Sequence, residues 1–187
     1  MRLRTLKTVK TDYELAERHY WSAAPGCKVF VADRGAVRFD YPRTWIVRPT
    51  NDGIKFYDRK PPKDNLVLGI SYLRIPLVDW TDLPLSGQVI QCTARSTRQI
   101  LGWDPVVQTR KIDLEIAWRH GRFWDRKDDR PAFTRFCLAR RRTVQALLTL
   151  DFWETELERC SAAWDVILAS LELDEPITDV SRGPVRM

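Results

Sequence analysis

The sequence predicts an α+β domain: an α/β/α sandwich built on a central, mostly antiparallel sheet. Three observations carry this. Apolar and polar residues alternate over 106–153, turn-forming residues punctuate short β-type runs in the first third, and an apolar stripe at helical spacing closes the chain over 156–171.

In residues 12–24, Leu15, Ala16, His19, Tyr20 and Ala23 recur at helical spacing, with Asp12 as N-cap and Pro25-Gly26 as a stop, so a first helix is expected. Residues 28–32 and 36–41 flank Asp33-Arg34-Gly35, where glycine can take a positive φ, and read as a hairpin. A second hairpin, 45–48 with 54–57, turns at Asn51-Asp52-Gly53 and ends at the Pro61-Pro62 breaker. Next, Leu66, Leu68, Ile70 and Tyr72 alternate with Val67, Gly69, Ser71 and Leu73. Both sets are partly apolar, which predicts a strand covered on both faces near the sheet centre. Over 84–101, Leu85, Val89, Cys92, Ser96 and Ile100 form one stripe before Gly102, the pattern of a second helix.

From 106 to 153 three long strands fit, with Ile112, Leu114, Ile116 and Trp118 set against Asp113, Glu115 and Arg119. Breaks are expected at His120-Gly121 with 125–131, and at 140–142, giving an antiparallel meander. Thr155 and Glu158 have the spacing of a capping box ahead of Leu157, Cys160, Trp164, Ile167, Leu168 and Leu171, which predicts the closing helix. A polar tail follows from Asp174, where Pro176 and Pro184 discourage further helix. The organisation expected is one domain over 1–187: a helix-and-hairpin extension at 1–36, a core at 37–173 and the tail at 174–187.

A chain of 187 residues buries about 70% of its unfolded surface, enough for a core without staples. Eight tryptophans imply a well-filled interior, with most of them in the core. Cys27, Cys92, Cys137 and Cys160 are far apart and without histidines at zinc-ligand spacing, so they read as buried free thiols. There is no run of 18 apolar residues, hence no membrane span, and residues 1–10 are basic without an apolar h-region. A cytoplasmic protein is expected. Net charge is +6, and it is polarised: residues 95–142 hold 13 Lys/Arg against 6 Asp/Glu, residues 151–187 only 3 against 9. A basic middle attracts anionic partners. Arg140, Arg141 and Arg142, however, alternate faces in a strand and do not address one phosphate track together.

No catalytic, cofactor or metal motif is present: neither phosphate-cradling glycine pattern occurs, and His19 and His120 stand outside any nucleophile arrangement. Asp113 and Glu115 share a strand face, a geometry for acid–base work or a hard cation, and also one for ion pairs with Arg119 or Arg135.

The order of elements, together with Phe39-Asp-Tyr-Pro-Arg-Thr-Trp45, Gly53-Ile-Lys-Phe56, Gln145-Ala-Leu-Leu-Thr149 and Trp164-Asp-Val-Ile-Leu-Ala-Ser-Leu171, resembles the Mog1/PsbP-like family over residues 37–173. The resemblance implies a non-enzymatic protein-binding or assembly module without cofactor or metal, because what members share is binding and not a catalytic site. Two other readings are an enzyme using Asp113, Glu115 or His120, and nucleic-acid binding through the basic middle with Trp103, Trp118 or Trp124 as stacking surfaces. If helices cover both sheet faces, a partner must dock at loops and edges. The candidate surface is Arg119, Arg122, Phe123, Trp124, Arg126 and Arg130 around the expected hairpin, since Trp and Arg dominate interface hot spots. Trp124 is then expected to be partly solvent-accessible.

Overall fold

The computed structural model describes residues 14–184. Its first unit is the hairpin β1 (Cys27–Ala32) and β2 (Val37–Pro42), to which the short β11 (Glu172–Leu173) adds, for a sheet in the order β1-β2-β11. The larger sheet contains β3 (Ile46–Thr50), β4 (Gly53–Tyr57), β5 (Leu66–Arg74), β6 (Gln99–Trp103), β7 (Val107–Lys111), β8 (Leu114–Asp125), β9 (Arg130–Arg141) and β10 (Val144–Trp153). Its order is β3-β4-β5-β10-β9-β8-β6, with β7 also on β8, and all pairings are antiparallel. The α+β class and the two early hairpins therefore stand as read from the sequence.

Period-2 patterning decides which face is core. Leu66, Leu68 and Ile70 on β5, Leu148, Leu150 and Phe152 on β10, and Leu114 and Ile116 on β8 point to one face and are buried. That face is covered by the helix α2 (Leu157–Ser170), through Cys160, Ala163, Trp164 and Ile167, and by the small sheet, whose Phe30 and Phe39 rings sit 5.0 and 5.4 Å from Phe56. Lys111 fastens the far end of α2, donating from Nζ to the carbonyls of Leu168 and Ala169 at 2.6 and 2.9 Å, a cation where the helix dipole is negative. The helix α1 (Leu85–Ala94) covers the opposite face over β8 and β9, where Leu85 and Val89 meet Ala117 and Leu138.

Several expectations need correction. Among the described residues of 12–24 there is no helix; positions 12 and 13 lie outside them. The segment is an arm whose Ala16 and Tyr20 amides donate to the carbonyls of Ser181 and Arg182, while Leu15 and Tyr20 are exposed. The presumed stripe has nothing to pack on, so the backbone bonds elsewhere. The second helix stops at Ala94, and 99–103 become β6, because the edge of β8 supplies a ladder for Ile100 and Trp103. His120-Gly121 is not a break but the middle of β8: a Cβ on Gly121 would lie 2.3 Å from the Trp103 ring, so glycine is there to admit that indole. β5 is covered on one face only, with Val67, Gly69 and Ser71 half-exposed, since α1 does not reach across to it.

The expected capping box does not form; α2 begins after a 3₁₀ turn at Glu154–Glu156 with no side-chain cap, and Glu156 bonds Asn65 and Arg159 instead. All four cysteines are free, but Cys92 is exposed. Only Trp45 and Trp164 of the tryptophans are buried; the other six are half-buried, which shifts the aromatic surplus toward the surface.

The two-residue turn Ile112-Asp113 places a β-branched residue at φ 50° with 97% of its surface exposed. Left-handed backbone disfavours such a side chain, and its burial gives nothing in return. Ile112→Asn is expected to raise stability by about 1 kcal/mol, or about 2–4 °C for a chain of this size; a calorimetric scan showing no rise would refute the strain.

Candidate functional site

The part of the sheet that α1 leaves open ends in a groove of about 660 Å³. Sheet order builds its floor. Tyr57 pairs with Val67 and Val67 with Asp151, while Trp153 pairs with Ala132 and Ala132 with Phe123, so two rows of same-face residues cross five adjacent strands. Pro61, Pro62, Asp64 and Asn65 of the β4–β5 loop form one wall; Thr97, Arg98 and Gln99 with the turn at 125–128 form the other.

Two guanidinium groups roof the aromatic rings. Arg98 lies 4.5 Å above Phe123 while its Nη1 and Nη2 donate to the two Asp151 oxygens at 2.8 and 2.6 Å, and Arg130 lies 3.5 Å above Trp153. Such stacks hold exposed rings in place while leaving polar edges to water. The 125–128 turn is fixed by Asp125, whose Oδ1 accepts from the amides of Lys127 and Asp128. The opposite wall is tied down more deeply. The Asp58 side chain is fully buried; Oδ1 accepts from the Asn65 and Leu66 amides at 2.8 and 3.0 Å, and Oδ2 pairs with Arg159 of α2 at 3.1 Å.

The six residues singled out in the sequence divide. Phe123, Trp124 and Arg126 line the groove, and Arg130 reaches it through Trp153. Phe123 is buried in its floor. Trp124 is half-buried, as expected, and donates from Nε1 to Asp129 at 3.3 Å. Arg119 leaves the set, turning to the Asp104 carbonyl and Thr93, and Arg122, alternating with Phe123, projects from the other face toward Phe133. They belong to a strand, not to a loop. Sequence reasoning missed Tyr57, Pro61, Pro62, Arg98, Asp151 and Trp153, which come from four separate segments that only the strand order β4-β5-β10-β9-β8 brings together.

The titratable candidates do not converge. Asp113 pairs with Arg141 and Arg142, and Glu115 with Arg140, not with the Arg119 or Arg135 expected. Partial burial of Asp113 opposes its charge, but the Arg141 hydrogen bond and charge outweigh this and hold its pKa below the ordinary value. His120 projects from the face opposite Glu115, stacked on Phe133 at 5.2 Å. Burial, then the charge of Arg135, push its pKa down and keep it neutral. No group of three or more potential metal-ligating side chains lies together among the described residues, and no described helix is long and apolar enough to cross a membrane.

A family model described as Alr1449 matches residues 28–177. A protein of Nostoc sp. (strain PCC 7120), described as "Uncharacterized protein alr1449", is 34% identical over 179 residues, covering 95% of this chain and 93% of that one. Among solved structures, cyanobacterial PsbP (CyanoP) from Synechocystis sp. PCC 6803 superposes with a TM-score of 0.53 at 12% identity, over 81% of this chain and 94% of its own. LpqN of Mycobacterium tuberculosis, described as involved in cell envelope biogenesis, gives 0.56 at 12% identity, over 78% and 89%. Identities this low speak for the fold alone, and the fold is the Mog1/PsbP-like one.

Proposed function

The chain belongs to the Alr1449 family, and from its fold and its open groove we propose that it is a non-enzymatic protein-binding or assembly module of the Mog1/PsbP-like type, seating a partner segment in the groove beside Trp124 and Trp153. The observation that carries the reading is the two same-face rows, Tyr57–Val67–Asp151 and Trp153–Ala132–Phe123, which together cross five strands and are left uncovered by α1. Tyr57 and Trp153 offer apolar area above the buried Phe123, Pro61 and Pro62 a rigid rim, and Gln99, Arg126 and Lys127 donors at the margin. That composition, aromatic within and polar at the rim, is the one that protein recognition uses.

An enzymatic role finds no support in the separate placement of Asp113, Glu115 and His120. Nucleic-acid binding is disfavoured because Arg98, Arg140, Arg141 and Arg142 already face carboxylates, which removes much of the positive field of the basic middle. A cytoplasmic setting is part of the same proposal and is supported by four unpaired thiols, one of them on the surface; recovery of the native protein in a membrane or exported fraction would overturn it.

The test is affinity capture from native extract, read by mass spectrometry, with the wild-type protein and a Trp124→Ala/Arg126→Ala variant side by side. Trp124 is half-buried and Arg126 exposed, so folding stability is expected to change by no more than about 1 kcal/mol. A protein retained by wild type and at least about tenfold depleted on the variant, a loss of ~1.4 kcal/mol, is the expected result. Equal retention on both would exclude the groove.

A further inference from the structure

We propose that Arg135, Trp164 and Ser161 form a site for one small monovalent anion of chloride's size and charge, between the large sheet and α2. This site is separate from the groove and independent of the reading above. Among the described residues three arginines are buried: Arg38, Arg135 and Arg140. Arg38 faces Asp40 and Glu172 at 3.5 and 3.2 Å, and Arg140 faces Glu115 at 2.7 Å. Arg135, 7% exposed, makes no ion pair with any described residue. Its Nη2 donates to Ser161 Oγ at 2.7 Å, and around it lie the ring faces of Trp118 at 5.4 Å and of Phe152 and Trp164 at 5.8 Å, with His120 and the Cys160 thiol also within reach of its charge. Aromatic faces attract a cation, but they neither neutralise it nor satisfy its N–H groups.

The hydrogen bonding points the same way. Arg135 Nε and Trp164 Nε1 are both buried, both purely donors, and neither has an acceptor among the described residues. The neutral His120, the direct cross-strand partner of Arg135, has a buried Nδ1 without a partner, a nitrogen that donates in only one of its two tautomers, so the obligatory unmet donors are those of Arg135 and Trp164. Unmet donors gathered around one uncompensated charge are rare in folded proteins and call for an acceptor. A water molecule would accept these bonds but would bring two hydrogens into surroundings poor in acceptors. An anion accepts only, and it supplies the missing charge. The aromatic walls add no donors for sulfate or phosphate, and dehydrating a divalent ion in such a place costs far more. A single halide fits both the charge and the donor set.

The experiment compares melting temperatures in sodium chloride and in sodium gluconate at equal ionic strength, with bromide quenching of tryptophan fluorescence as the second readout. Chloride is expected to raise the melting temperature in proportion to the logarithm of its concentration once the site is mostly filled, by about 3–6 °C at ten times the half-saturating concentration. Bromide should quench with a saturable component that Trp164→Phe removes. Arg135→Met, of similar length and without charge, should fold and lose the chloride dependence. Identical melting in the two salts would overturn the site and leave the donors to water; chloride dependence retained by Arg135→Met would place the anion elsewhere and equally overturn it.

Discussion

Asp58→Ala is expected to lower the melting temperature by about 6–12 °C, a loss of ~3 kcal/mol in a chain of this size. The carboxylate has no exposed surface and accepts from two consecutive backbone amides, of which Leu66 opens β5. Removing it strands both amides, at about 1–3 kcal/mol each where water is excluded. Arg159 is half exposed and would simply return to solvent, so its share is small. The same change frees the Pro61–Pro62 wall of the groove from α2, so partner capture should weaken with stability. Asp58→Asn, which keeps one acceptor oxygen, should cost about half as much. A melting temperature within about 2 °C of wild type for the alanine variant would mean that the β4–β5 loop is held by something else.

Trp164→Ala should be more damaging still, by about 3–5 kcal/mol. The indole is completely buried on α2, meets Trp118 edge-on at 5.7 Å and lies against the Arg135 guanidinium. Its loss opens a large void where the helix and sheet touch. Domains of this kind are stable by only about 5–15 kcal/mol, so the variant is expected to be partly unfolded at 37 °C. Denaturant titration would show the midpoint fall with the slope unchanged, and an unaltered midpoint would contradict the packing described for α2.

The two variants also mark where the sequence was legible. The closing helix was readable because Cys160, Trp164 and Ile167 repeat a strong local period that tertiary packing then uses unchanged. The hairpins at Asp33–Gly35 and at Asn51-Asp52-Gly53 were readable because their turns need residues that tolerate positive φ, and Gly35 and Gly53 adopt it. The supposed helix at 12–24 failed for the opposite reason: its period spans only five apolar or aromatic positions, and the carbonyls of Ser181 and Arg182, distant in sequence, offered better hydrogen bonds.

The second helix was read too long because Ile100 fits a helical stripe and a sheet edge equally well; only the presence of β8 decides between them. The candidate site was legible in part. Phe123, Trp124, Arg126 and Arg130 were found because local composition marks hot-spot residues, whereas Arg122 was lost to strand alternation and Arg119, on the same face as Phe123, to its bonds with the Asp104 carbonyl and Thr93. Tyr57 and Trp153 carried no local signal, since what makes them one surface is the insertion of β10 between β5 and β9.

The central claim, that the groove is where a partner docks, is tested most directly by photo-crosslinking in the native cell. A photoreactive phenylalanine analogue placed at Arg126, exposed on the groove's rim, is compared with one at Lys55, exposed on the same sheet face but outside that groove. The account predicts a discrete protein adduct from position 126 that is absent from position 55 and is lost when Trp124→Ala is added. Adducts of the same protein from both positions, or from position 55 alone, would contradict it.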